Sequence, residues 1–161
     1  MSDVTIRPIR SEDDPVLRRV LIEVLTEVGA TGEGFSDQDP EIAAMSVAYD
    51  GPKAAYLVAE VDGEIVGGAG VGPLPRAESH VCELRKMYLL PSARGLGVGR
   101  SLLERCLHEA RRLGYRECYL ETLAQMDRAR DLYERFGFLP LEAPMGDTGH
   151  FGCNRWYSLS L

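Results

Sequence analysis

Along this chain, apolar residues keep to a small set of spacings, and each spacing predicts an element. Val4-Thr5-Ile6-Arg7-Pro8-Ile9 alternates and predicts a first strand, with Pro8 suiting an edge. Ser11 is placed to cap a helix, with Asp14 three residues on as a weak capping box. Val16, Leu17, Val20, Leu21, Val24, Leu25 and Val28 then form one helical stripe, ended by Gly29. Thr31 to Gln38 is a polar loop in which Phe35 is the sole large apolar residue. Asp39 as cap and Pro40 in the first turn predict a short helix to about Tyr49, broken by Gly51-Pro52. Two apolar runs, Ala54–Val61 and Glu64–Val71, flank Asp62-Gly63, which predicts a hairpin. Gly67, Gly68 and Gly70 weaken its second strand and point to a bulge or a close backbone approach.

The second half turns on Glu83 to Leu103, which reads strand, glycine turn, helix. His80 to Leu90 is the strand, closed by Pro91. Gly95, Gly97 and Gly99 make the turn, with Arg94 and Arg100 on either side. Val98, Leu102, Leu103, Cys106, Leu107, Ala110 and Leu113 give a helix stopped at Gly114. Glu117–Leu123 is a further strand, so this segment implies a parallel crossover. Asp127 opens a helix carrying Ala129, Leu132, Tyr133 and Phe136, and last strands are expected at Phe138–Leu141 and Phe151–Leu161. The order predicts an α/β fold, a mixed sheet with helices on both faces.

Composition narrows the functional classes. A length of 161 residues suits a single domain, taken as 1–161. A net charge of −7 argues against a nucleic-acid binder and against a basic membrane-surface helix. The N-terminus lacks the basic start and apolar core of a signal peptide, and no run is long enough to span a membrane, so a cytoplasmic protein is expected. Cys82, Cys106, Cys118 and Cys153 are unpaired in spacing and read as reduced thiols. His80-x-Cys82 and His150-x-x-Cys153 could together supply a two-Cys, two-His set, but their spacings are wrong for zinc, and no metal is expected.

A glycine turn at a helix start leaves backbone N–H groups without intrahelical partners, which makes an anion site. Two nucleotide motifs fit badly. Gly99-Arg100-Ser101 replaces the Gly-Lys-Ser/Thr of a phosphate loop, and Gly95-Leu96-Gly97-Val98-Gly99 lacks the G-x-G-x-x-G spacing. Arg94-x-x-Gly97-x-Gly99, with Leu89-x-Pro91 before it, resembles motif A (Q/R-x-x-G-x-G/A) of the GCN5-related N-acetyltransferase (GNAT) superfamily. Ala129-Arg130-Asp131-Leu132-Tyr133-Glu134-Arg135-Phe136-Gly137-Phe138 resembles that family's A-x-x-L-Y-x-x-x-G-F segment.

The resemblance implies a mostly antiparallel sheet of about six to seven strands, splayed at one parallel pair around an acetyl-CoA groove. It implies acetyl-CoA as co-substrate, with its pyrophosphate on Arg94, Gly95, Leu96, Gly97, Val98, Gly99 and Arg100. The pantetheine arm would lie along Met87, Tyr88 and Leu89. Met126 stands where many members have Asn, which removes one polar contact. Tyr133 is implied as general acid to the leaving thiolate, uphill by about 2 kcal/mol from ordinary pKa values. Glu83 is implied as base, with Glu121 as runner-up. Phe35, Arg85, Glu121 and His150 are expected around the acceptor, with Lys86 and Arg155 as further cations for a substrate carboxylate. The expected activity is transfer of acetyl to the amine of a small molecule, an amino acid or metabolite. Acetylation of a protein N-terminus or lysine, a non-catalytic acyl-CoA-binding regulator and a nucleotide-phosphate binder stay open here, as does a homodimer.

Overall fold

The computed structural model describes residues 1–161. Its elements follow the predicted order: β1 (Val4–Pro8), α1 (Asp14–Glu27), α2 (Met45–Ala48), β2 (Ala55–Val61), β3 (Glu64–Pro73), β4 (Val81–Leu89), α3 (Val98–Arg112), β5 (Glu117–Thr122), α4 (Asp127–Arg135), β6 (Leu139–Leu141) and β7 (Arg155–Ser160). Seven strands form one sheet in the order β1-β2-β3-β4-β5-β7-β6. All neighbours are antiparallel except β4 and β5.

Each face of the sheet carries its own core. On one, the stripe of α3 (Leu102, Leu103, Cys106, Leu107, Ala110) and Tyr133 of α4 pack over Leu57, Ala59, Val71, Leu84, Leu120 and Tyr157. On the other, Leu17, Leu21 and Leu25 of α1 join Met45 of α2, Tyr56 and Val58. Alternation along β2 sends Leu57 and Ala59 to one side and Tyr56 and Val58 to the other, so both faces of this strand are buried. No helix is long and apolar enough to cross a membrane.

Two features of β4 position the site. Its pairing with β5 covers only Val81, Cys82 and Glu83, so beyond Glu83 that edge of β4 has no partner. On its other edge, Gly68 pairs with Tyr88 but Gly70 pairs with Arg85, so Ala69 faces both Lys86 and Met87. This is a β-bulge, and Lys86 takes the left-handed conformation at φ 47°. The Tyr56 hydroxyl donates to the Lys86 carbonyl at 2.7 Å, which pins the bulge from beneath. Its ring can lie there because β3 has no side chains in the way: a Cβ at Gly68 or Gly70 would fall 2.6 or 2.5 Å from the Tyr56 ring. The glycines of β3 therefore mark both things expected of them, a bulge and a close approach.

Two local expectations need correction. Ser11 does not cap α1; residues Ser11–Asp13 form a 3-10 turn, and Asp13 accepts the Arg10 amide at 2.7 Å while binding the Arg7 guanidinium. The amides that a Ser11 cap would need are already taken, that of Asp13 by the Arg10 carbonyl at 3.0 Å and that of Asp14 by the Ser11 carbonyl. The helix expected from Asp39 to Tyr49 is a 3-10 turn, Pro40–Ala43, followed by the single turn of α2, because the Asp39 side chain is drawn elsewhere. The two His/Cys pairs do not assemble: His80 lies beside Glu78 and Glu117, Cys82 is core, and His150 binds Asp39.

Candidate active site

The glycine turn is built as an open cradle. Pro91–Ala93 is a 3-10 turn, Gly95 and Gly97 hold φ of 81° and 79°, and α3 begins at Val98. Ser101 is the first residue of the helix whose amide reaches back, to the Gly97 carbonyl at 3.1 Å. The amides of Gly95 through Arg100 donate to no carbonyl of the protein. Six consecutive unspent donors at the positive end of a fifteen-residue helix form a strong anion site. Val98 is buried and anchors the helix start in the core. Arg94 is not a free cation beside this cradle. Its guanidinium binds the Glu27 carboxylate of α1 at 2.6 and 3.0 Å and the Leu89 carbonyl at 2.9 Å, bracing the loop against α1 and β4. Arg100 remains exposed, 3.3 Å from Glu104.

A groove of about 830 Å³ starts at this cradle. Its walls are the end of α1 (Val24, Glu27, Val28), the end of β4 (Met87, Tyr88, Leu89), the turn itself and α4 with its lead-in (Gln125 to Ala129, Asp131, Leu132, Tyr133, Arg135). That size is at the upper end for a small-molecule site. Arg128 and Arg135 bring further positive charge to it. Neither was expected from the sequence, although the helical spacing from Arg128 to Leu132 and Arg135 was the available signal.

A second, narrow crevice meets the groove. Met87, Tyr88, Met126 and Tyr133 line both. Around the crevice stand Leu25, Ala30, Phe35 and Ser36 from the α1 side, Leu84 and Lys86 from β4, Leu120 to Leu123 from β5, and Cys153. Tyr133 is therefore at the junction. Its ring is wedged against Phe138 and Tyr157, its burial raises the hydroxyl pKa, and the hydroxyl has no hydrogen-bond partner in the protein. Tyr49 is the only buried side chain whose polar atom is both sealed off and unpartnered, so the Tyr133 hydroxyl opens onto free space.

Next to the crevice lies a layer of charge. Glu83, Glu121 and His150 bring ligand-type atoms within 4.8 Å of one another. Glu83 is 5% exposed, and burial raises its carboxyl pKa against the opposing pull of Arg85, whose Nε is 2.8 Å away. Glu121 lies on the crevice wall and accepts hydrogen bonds from the hydroxyls of Tyr119, at 2.6 Å, and Thr148. His150 Nε2 sits 2.8 Å from Asp39. Burial would lower the imidazole pKa, but the Asp39 hydrogen bond outweighs it and the net shift is upward. Asp39 moves the other way: burial works against its charge, yet His150 and Lys86 together hold the carboxyl below its usual value. The Lys86 ammonium, its side chain 2% exposed, is 2.7 Å from Asp39 and 3.1 Å from Glu41.

Of the residues expected around an acceptor, Phe35 and Glu121 reach the crevice wall, whereas Arg85 and His150 stand behind it. Arg85 is spent on Glu83 and the Pro73 carbonyl, with its guanidinium 5.9 Å from the Tyr49 ring centre. Lys86 is likewise neutralised, and exposed Arg155 turns to the Asn154 carbonyl. Asp39 and its link between His150 and Lys86 were missed, because a loop aspartate before proline reads as a helix cap and nothing local says otherwise.

The model of the acetyltransferase (GNAT) family matches residues 22–138, from α1 through the cradle to the end of α4. This chain belongs to the GNAT acetyltransferases. It is similar to the N-acetyltransferase YjgM of Escherichia coli K12, at 40% identity over 148 residues, 91% of this chain and 89% of that one. Among solved structures it superposes on a GNAT-family acetyltransferase of Staphylococcus aureus with a TM-score of 0.81 and 19% identity, covering 98% and 99% of the two chains. It superposes on YncA of Salmonella typhimurium, solved with acetyl-CoA, with a TM-score of 0.78 and 21% identity, covering 98% and 93%. In this GNAT chain the splayed β4/β5 pair, the bulge and the cradle occupy one continuous surface.

Proposed function

We propose that this GNAT protein moves the acetyl group of acetyl-CoA to the amine of a small molecule. The observation that carries the reading is the run of unspent amides from Gly95 to Arg100, opening onto a groove that ends at an unpartnered tyrosine hydroxyl. Pyrophosphate oxygens accept from those amides. The pantetheine arm adds as a strand to the free edge of β4 at Met87 to Leu89. Gly97 and Gly99 keep the main chain accessible; Arg94 holds the loop in shape, and Arg100 with Arg128 and Arg135 supplies charge for the phosphates. Met126 offers the pantetheine an apolar contact in place of an amide.

The thioester carbonyl then lies at the junction of groove and crevice, where backbone amides released by the bulge stabilise its developing negative charge. The acceptor enters by the crevice as an ammonium and must lose a proton. Glu83 takes it, relayed past Glu121 through a water, because a carboxylate with a raised pKa is a better base than an exposed one. The neutral nitrogen attacks, the C–N bond forms and the C–S bond breaks. The departing thiolate takes a proton from Tyr133, and the second nitrogen proton replaces it, so one proton is released per turnover. Because burial raises the Tyr133 pKa, the phenol is protonated across the working pH range when the thioester binds, and it hydrogen-bonds the sulfur before giving up its proton. Cys153, although on the crevice wall, is no rival nucleophile: burial, then the charges of Glu121, Glu83 and Asp39, push its thiol up to about 12.

Mixing the protein with acetyl-CoA and a panel of amines and following free thiol tests this reading. Amine-dependent thiol release is expected. Binding of acetyl-CoA without release under any amine would favour a regulator, and stabilisation by ATP or NAD above that by CoA would favour a nucleotide binder.

A further inference from the structure

Every cation beside the acceptor crevice already has an internal partner. Lys86 is held by Asp39 and Glu41, Arg85 by Glu83, and the His150 imidazole by Asp39. Glu121 is different. Its hydrogen-bond partners are two neutral hydroxyls, those of Tyr119 and Thr148, and no arginine or lysine lies within salt-bridge reach of it. These hydroxyls fix its orientation without cancelling its charge. Glu121 is also the carboxylate of this layer that shares a wall with Tyr133. The rest of that wall is mostly apolar, and the space between is about 30 Å³, room for little more than a slender group.

We propose that Glu121 receives the ammonium of the acceptor, and that the acceptor is a primary alkylamine with no carboxylate on the carbon bearing the nitrogen. This rests on the acetyl-transfer reading and sharpens it. A carboxylate next to the amine would be carried into a narrow, apolar space beside Glu121. No side-chain cation is free there to neutralise it, so it would be desolvated and repelled at once. An unbranched alkyl stem can pack on Phe35, Leu120 and their apolar neighbours. The reading therefore removes α-amino acids from the acceptors and retains amines such as their decarboxylated counterparts.

The test pairs each amine with its α-carboxylated twin: butylamine with norvaline, and pentylamine with norleucine. Free thiol is followed with acetyl-CoA as donor, and acetyl-CoA binding is measured separately by calorimetry. A kcat/KM at least tenfold higher for the uncarboxylated member of each pair is expected. E121Q keeps a side chain of the same shape but loses its charge. It is expected to raise KM for butylamine about tenfold or more while leaving the acetyl-CoA binding heat unchanged. Equal turnover of the twins, or an unchanged KM in E121Q, would overturn the inference and leave acetyl transfer standing. So would acetylation of peptide lysines without acetylation of the free amines. Absence of any heat with acetyl-CoA would overturn both readings together.

Discussion

Tyr133 carries the sharpest test at the scale of a single residue. Its ring is core and its hydroxyl faces the junction, so Tyr133→Phe removes one oxygen and leaves the packing on Phe138 and Tyr157 intact. Turnover is expected to fall by about 10²-fold or more, with acetyl-CoA affinity unchanged, as steady-state kinetics and calorimetry would show. Glu83 is tested by pH. A base works deprotonated, and burial sets its pKa above the ordinary carboxyl value of 4.5, so the acidic limb of kcat/KM belongs above that value. In Glu83→Gln the limb disappears and the remaining rate is lower by about 10²-fold. Survival of the limb in this variant would move the base elsewhere. Both residues were candidates from the family resemblance alone. Their surroundings were only partly legible beforehand: Arg85 is two residues along the same strand, but Glu121 and His150 reach Glu83 from two other segments.

At the scale of elements, the bulge in β4 is held by residues of two other strands. Tyr56 of β2 crosses the bare face of β3 and donates to the Lys86 carbonyl. Gly70→Ala puts a Cβ 2.5 Å from the Tyr56 ring and 2.7 Å from the Ala55 carbonyl oxygen. The backbone oxygen cannot swing aside, so the strands must separate. A loss of about 1–3 kcal/mol in urea unfolding is expected, with weaker acetyl-CoA binding, because the displaced bulge is where the pantetheine arm is proposed to lie. The glycine run announced a close approach; which ring makes it was decided by the register of β2 on β3. The cradle is the opposite case. Its glycines, its flanking arginines and the helix after it lie within one short stretch, so its form could be read from local spacing. Even there, the pairing of Arg94 with Glu27 depends on α1 lying alongside.

Across the whole molecule, Asp39 joins the loop after α1, the bulge of β4 and the loop before β7 through Lys86 and His150. The linkage has a definite sign. The His150 pKa is raised by folding, so its contribution is full below about pH 6.5 and is lost as pH rises through the folded-state value. The Asp39 pKa is lowered, so its contribution is present above about pH 3.9 and is lost as pH falls through its folded-state value. In His150→Gln, the stability deficit relative to the unsubstituted protein is expected to be largest between about pH 4 and pH 6.5 and to shrink above that window, as urea titrations at several pH values would show. A deficit that grows with pH would contradict the pairing.

The order of elements, the two apolar helical stripes, the hairpin at Asp62-Gly63, the glycine cradle and the candidate acid Tyr133 all follow from the sequence by itself. Each is set by periodicity, turn stereochemistry or a motif within a short span, where neighbours in sequence are neighbours in space. The tertiary structure alone decided that β4 and β5 part after Glu83, that Lys86 is neutralised by Asp39 and Glu41, and that Asp39 binds His150. The β4/β5 pairing, the Lys86–Asp39 pair and the Asp39–His150 pair join residues tens of positions apart, and their energies depend on burial and on which opposite charge arrives first, quantities that no local pattern encodes.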